Sequence, residues 1–137
     1  VPFHMFGAPW IDHKQLADKL NAMNLKGVLF RPLVFKPYYY THKDQEMRGV
    51  QVYLTDPAAV NLMSLQFILM DAHHQLYPDK NPFALCKPQR HDMFDKVCGS
   101  PQVRALFTKQ MAYEDVKPFL EKDVAAFRAK SKKYHKY

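Results

Sequence analysis

The sequence predicts an α+β fold: a small mixed or antiparallel sheet of two to three strands packed with about five helices. Three observations predict it. Residues 49–55 alternate apolar and polar in the two-residue period of a strand. Residues 28–35 form an apolar run broken by Pro32 and closed off by Pro37, a pattern suited to a sheet edge or bulge. Asp56-Pro57 then opens a stretch to residue 76 that is apolar nearly all round, as a buried helix is.

The elements follow in chain order. Residues 1–10 carry two prolines and a glycine and read as an irregular, apolar opening segment. Asp12 suits the N-cap of a helix to about Asn24, with Leu16, Leu20 and Met23 at helical spacing and Gly27 just past its end. Residues 38–48 are polar apart from their tyrosines and form a loop. In the helix after Asp56, Val60, Met63, Phe67 and Met70 make one stripe, with Leu65, Ile68, Leu69 and Ala72 beside it. Residues 77–90 hold three prolines and read as a loop. Short helices are expected at about 91–98 and 101–110, separated by Gly99 and Ser100-Pro101. A last helix is expected from near Asp115, with Pro118 in its first turn and Leu120, Val124 and Phe127 facing inward.

At 137 residues the chain is one domain's length, and a chain of that size buries roughly 65–70% of its unfolded surface. Apolar residues make up 47% and charged residues 24%, which excludes a disordered or linker-like chain. The longest uncharged stretch, residues 57–70, is too short and too polar for a membrane span. The chain begins Val-Pro-Phe, so the expectation is a removed leader or a piece of a longer protein. The formal net charge of +7 favours anionic partners, but Lys122, Arg128, Lys130, Lys132, Lys133 and Lys136 concentrate it near the C-terminus, where a solvated helix face explains it.

Few residues offer chemistry. Trp10, the single tryptophan, follows Gly7-Ala8-Pro9; it either stacks on a sugar ring, its N–H meeting a hydroxyl, or plugs the core edge. Glycoside hydrolysis generally needs two carboxyl groups about 5–9.5 Å apart. Asp12 and Asp56 are the acids nearest the informative segments, yet both stand where helix N-caps stand. Arg31, amid apolar residues, calls for a carboxylate, either the protein's own or a ligand's. Adjacent His73 and His74 diverge by about 100° on a helix and do not address one metal ion. Cys86 and Cys98 lack zinc-ligand spacing, and whether they pair is left open. Tyr38, Tyr39 and Tyr40 beside His42 and Lys43 are a weak base-stacking signal without a nucleic-acid-binding motif, so no nucleic-acid partner is expected.

The ordered string Pro2-Phe3, Gly7-Ala8-Pro9-Trp10, Leu20-Asn21, Gly27-Val28, Phe30-Arg31-Pro32, Phe35-Lys36-Pro37, Gly49-Val50-Gln51-Val52 and Thr55-Asp56, with Phe127-Arg128, Tyr134 and Tyr137 in the tail, closely resembles the C-terminal portion of the NamZ/YbbC family. These are exo-β-N-acetylmuramidases of peptidoglycan recycling, and the resemblance covers essentially all of the chain. His4, Met47 and Leu120 depart from residues common at those places in the family.

The resemblance implies that residues 1–137 are a single auxiliary domain of a longer bacterial protein, periplasmic or secreted. The catalytic glutamate would lie in a preceding Rossmann-like domain, so no catalytic residue, metal or organic cofactor is expected here. The implied ligand is a muramyl glycan from peptidoglycan, with Trp10 stacking on the sugar, Arg31 pairing with its lactyl carboxylate, and Asn21 and Gln51 bonding its hydroxyl or acetamido groups. A non-catalytic glycan-binding or interaction module is the alternative, and charge-driven nucleic-acid binding ranks last.

Overall fold

A computed structural model describes residues 4–39 and 42–135; Pro2, Phe3, Tyr40, Lys136 and Tyr137, singled out above, lie outside them. The chain forms two compact units, residues 1–76 and 77–137.

The first unit is a three-stranded antiparallel sheet with two helices. Its strands are β1 (Met5–Ala8), β2 (Val28–Phe35) and β3 (Met47–Leu54), in spatial order β1-β3-β2. Helix α1 (His13–Ala22) packs on β2 and β3, and α2 (Leu62–Leu76) packs on α1. Alternation along the strands sorts their side chains. Phe6, Phe30 and Val50 share the face that carries the core, with Phe30 and Val50 buried. Met5, Leu29, Arg31, Gln51 and Tyr53 share the other face. Leu16, Ala17 and Leu20 bring the buried stripe of α1, while Met23 is exposed. Pro32 sits in an edge strand, where its missing N–H costs no ladder bond.

The opening segment, expected to be irregular, contains β1. Its pairing depends on a close approach that a linear pattern conceals. Gly7 lies opposite Gly49. A Cβ on Gly49 would stand 1.9 Å from the Phe6 carbonyl oxygen and 2.6 Å from the Gly7 Cα. Here the two glycines mark strands that no larger residues would let meet.

The second helix starts later than Asp56-Pro57 suggests. The Asp56 carboxylate accepts from the Ala58 N–H at 3.0 Å and closes a single turn. Asn61 then accepts from the Ser64 N–H at 3.3 Å, and α2 begins at Leu62. Gly27 holds the Asp56 turn in place: its carbonyl accepts from the N–H groups of Thr55 and Asp56, at 2.9 and 3.2 Å. Its φ of +75° and its contact with the Asp56 carbonyl leave no space for a side chain. The buried face of α2 is Leu65, Phe67, Leu69, Ala72 and His73, so Met63 lies outside the stripe assigned to it.

The second unit consists of α3 (Pro82–Leu85), α4 (Gln89–Cys98), α5 (Pro101–Phe107), α6 (Tyr113–Glu121) and α7 (Val124–Ser131), followed by a 3-10 turn at Lys132–Tyr134. Its core gathers Val103, Phe107, Met111 and Val116. The Phe83 ring stands perpendicular to that of Phe94 at 5.1 Å and also meets Phe107. Arg104 forks onto Asp95 with Nε–Oδ1 2.8 Å and Nη2–Oδ2 2.7 Å, joining α5 to α4 and holding the Asp95 carboxyl below the usual carboxylate range.

Three expectations for this half need correction. The loop over residues 77–90 includes α3, capped by the Asn81 side chain on the Phe83 N–H. The last helix is two helices, with Pro118 inside α6 rather than in a first turn at Asp115. Leu120, Val124 and Phe127 do not face a core: only Val116 of α6 is buried, and α7 buries none of its residues. The interruption at Lys122–Asp123 breaks the continuous stripe that would have carried burial from Val116 onward.

Gly49→Ala should force β1 from β3 and lower stability by about 1–3 kcal/mol, the usual cost of overpacking. Chemical denaturation followed by circular dichroism and by Trp10 emission checks this, because Trp10 lies two residues beyond the displaced strand. A midpoint equal to that of the parent sequence would contradict it.

Candidate functional site

The link from β1 to α1 presents the single tryptophan. Ala8 and Ile11 on either side of the Pro9-Trp10 turn are buried, so the turn is anchored at both ends. Asp12 then caps α1, its carboxylate accepting from the N–H groups of Lys14 at 3.0 Å and Gln15 at 3.1 Å. The bond from the Gln15 N–H is the main reason its carboxyl titrates below the usual carboxylate range.

The indole N–H donates to Nε2 of His73 at 3.1 Å, and the two rings tilt together at 6.3 Å. His73 is 3% exposed and meets the Phe6 ring edge-on at 5.8 Å. An Nε2 that accepts a hydrogen bond belongs to a neutral imidazole with its proton on Nδ1. The bond fixes the indole's orientation and occupies the N–H that sequence reasoning assigned to a sugar hydroxyl. Trp10 itself stays 37% exposed.

A depression of about 390 Å³ opens there, lined by Pro9, Trp10, Ile11, Asp12, His13, Lys14 and Arg48. Arg48 is also held by Glu46, its Nε and Nη2 both on Oε1 at 2.9 and 2.8 Å. An aromatic face with cations at its rim suits a ring compound bearing a carboxylate. Among the lining residues Asp12 is the one carboxylate, and it already serves as a helix cap. The depression therefore lacks the acid pair that glycoside cleavage requires.

The four residues singled out for substrate contact do not converge. Arg31 and Gln51 are direct cross-strand partners, with Met5 on the far side of Gln51. The Arg31 guanidinium lies 5.3 Å above the Tyr53 ring, a cation–π contact in place of the expected carboxylate. This pair occupies the sheet face opposite Phe6, the residue that meets Trp10's partner His73. Asn21 lies elsewhere and binds backbone: its Nδ2 donates to the Phe30 carbonyl at 2.7 Å and its Oδ1 accepts from the Phe30 N–H at 2.9 Å. Sequence reasoning missed His73 and Arg48. From sequence alone His73 offers itself only as a metal ligand, and Arg48 stands at the end of a loop.

Among the described residues no three His, Cys, Asp or Glu side chains gather to hold a metal ion, and no helix is long and apolar enough to cross a membrane. No disulfide joins Cys86 and Cys98.

Comparison with known proteins was made over the whole chain. A family model described as "Exo-beta-N-acetylmuramidase NamZ, C-terminal" matches residues 1–137. The chain is 30% identical over 133 residues to the peptidoglycan β-N-acetylmuramidase NamZ of Bacillus subtilis, covering 97% of this chain and 31% of that protein. It also superimposes on the crystal structure of a DUF1343 family protein from Bacteroides fragilis with a TM-score of 0.95 and 41% identity, covering 99% of this chain and 35% of that one. The chain thus spans about a third of the length of these relatives.

Two outcomes test this geometry. Asn21→Ala leaves the Phe30 backbone groups without their side-chain partner and should lower stability by about 1–3 kcal/mol, read as a shifted denaturation midpoint. The Asp12 cap predicts an acid dependence. A carboxyl with a lowered folded pKa contributes stability that is full above the unfolded value, about 4, and is lost as pH falls through the folded value. Asp12→Asn keeps a capping oxygen that does not titrate, so its melting temperature should fall less steeply in acid. Parallel acid limbs in the two proteins would refute the assignment.

Proposed function

The chain belongs to the exo-β-N-acetylmuramidase NamZ family as its C-terminal region, and on that premise we propose that it is the sugar-gripping auxiliary part of a peptidoglycan-active glycosidase. The longer protein acts on terminal β-1,4-linked N-acetylmuramic acid outside the cytoplasmic membrane. Its catalytic glutamate lies in a preceding domain, and residues 1–137 act as one auxiliary domain that lines the cleft.

The observation that carries this reading is the anchored indole with a cationic rim. N-Acetylmuramic acid differs from N-acetylglucosamine by its lactyl ether, which adds a carboxylate. Stacking on Trp10 takes the apolar face of the pyranose, as one tilted aromatic surface does without further reorganisation. Arg48 and Lys14 at the rim take the carboxylate, the role first given to Arg31. A guanidinium shared with Glu46 remains able to donate through Nη1. Arg31 and Gln51, on the other face, hold no part of this sugar, and the Asn21 amide holds β2.

Catalysis needs a second group that the depression does not supply, so the isolated chain binds and does not cleave. The single tryptophan makes the test direct. Titration with N-acetylmuramic acid should change Trp10 emission saturably, with a smaller response to N-acetylglucosamine. Arg48→Ala should weaken binding about tenfold or more, the usual loss of a charge-assisted hydrogen bond, while Arg31→Ala leaves it unchanged. An emission indifferent to the sugar would overturn the reading. So would hydrolysis of a chromogenic β-N-acetylmuramide by the 137-residue chain that Asp12→Asn abolishes.

A further inference from the structure

We propose that α7 and the 3-10 turn after it form a docking surface for an anionic phospholipid bilayer. The starting point is a group of exposed apolar side chains without a core beneath them. Val124 and Phe127 lie three residues apart on α7, and Tyr134 follows in the 3-10 turn. Phe127 is 68% exposed and Tyr134 67%. Beside them runs an apolar trough of about 520 Å³ whose lining includes Phe119, Leu120, Val124 and Phe127.

The charges on this surface are mainly positive. Residues 119–134 contain Lys122, Arg128, Lys130, Lys132 and Lys133 against the acids Glu121 and Asp123, with Asp123 4.0 Å from the Lys122 ammonium. The Lys122 ammonium sits 4.0 Å over the Phe119 ring and that of Lys133 5.0 Å over Tyr134, so cations and aromatics are interleaved.

Charge complementarity selects the occupant. A protein partner would have to bury these lysines, and buried interface cores are depleted in lysine because desolvating an ammonium is costly. At a bilayer surface the same side chains lay their stems along the apolar layer and keep their ammonium groups hydrated among phosphates. Phe127 and Val124 then enter the headgroup boundary as individual apolar anchors, with the basic side chains supplying the attraction to the anionic surface. The helix needs no spanning length for this, and it has none.

The test is co-sedimentation of the full 137-residue chain with vesicles of phosphatidylcholine alone or mixed with phosphatidylglycerol. Partition should be about tenfold or more stronger onto the mixed vesicles and should fall steeply with added salt. Phe127→Ser, and separately the triple change Lys130→Gln, Lys132→Gln, Lys133→Gln, should each weaken it. All four side chains are exposed, so circular dichroism of the variants should match the parent sequence. Equal partition onto both vesicle types would overturn the proposal, as would binding that neither variant changes. A concentration-dependent dimer dissolved by Phe127→Ser would identify a second copy as the occupant instead. Tighter binding to single-stranded RNA than to the mixed vesicles would reassign the charge to nucleic acid. Sedimentation by the 137-residue chain that is lost when the preceding domain of the proposed function is attached would also overturn the proposal.

Discussion

The contact between Gly7 and Gly49 is the constraint on which the first half of the molecule depends. Where their two strands meet, a carbonyl and a Cα stand within the space a side chain would need. Their approach brings β1 into the sheet, and the chain leaving β1 has only one turn before the Asp12 cap begins α1. The tryptophan in that turn is therefore placed by backbone pairing on one side and helix initiation on the other. Its bond to His73 then connects the turn to α2. Sheet, cap and indole form one connected mechanical unit, and the depression beside Trp10 is a by-product of how they join.

The two halves of the chain are stabilised differently. The first has a sheet whose core face receives α1, so burial is concentrated in a layer: Leu16, Leu20, Phe30 and Val50 are each at most 2% exposed. The second is built from short helices round a few side chains, with the Arg104–Asp95 fork and the Phe83 ring contacts adding direction to a small core. Helices of seven to ten residues have little stability of their own and depend on such contacts.

What could be read from the sequence was what local chemistry decides. The Asp12 cap, Leu16 and Leu20 of the α1 stripe (though not Met23), strand β3 and the edge placement of Pro32 follow from residue-level rules and appear as expected. The start of α2 did not, because Asp56 and Asn61 both offer capping oxygens and only the packing of the Asp56 turn on Gly27 decides between them. Strand β1 was hidden because its signal is the absence of two side chains. Phe127 was assigned inward because periodicity records a stripe and not what lies opposite it. At the site, Trp10 was legible as an unusual residue on a rigid turn. Its partners were not, since His73 is 63 residues away and Arg48 arrives through strand pairing. Asn21 shows the reverse error: a polar residue in a familiar motif, yet its amide is bonded to the backbone of Phe30.

That Asn21 contact has an effect beyond the stability of one strand. β2 lies at the margin of the sheet, and such a margin ordinarily offers a row of open amide groups to any passing chain. Here the Phe30 N–H and C=O are both satisfied by a side chain, and two residues on, Pro32 has no N–H to offer. An incoming segment finds the donor already taken and the carbonyl already engaged at the first position, and no donor at the second. Strand addition is thus obstructed at the middle of this flank by one amide and one imino acid.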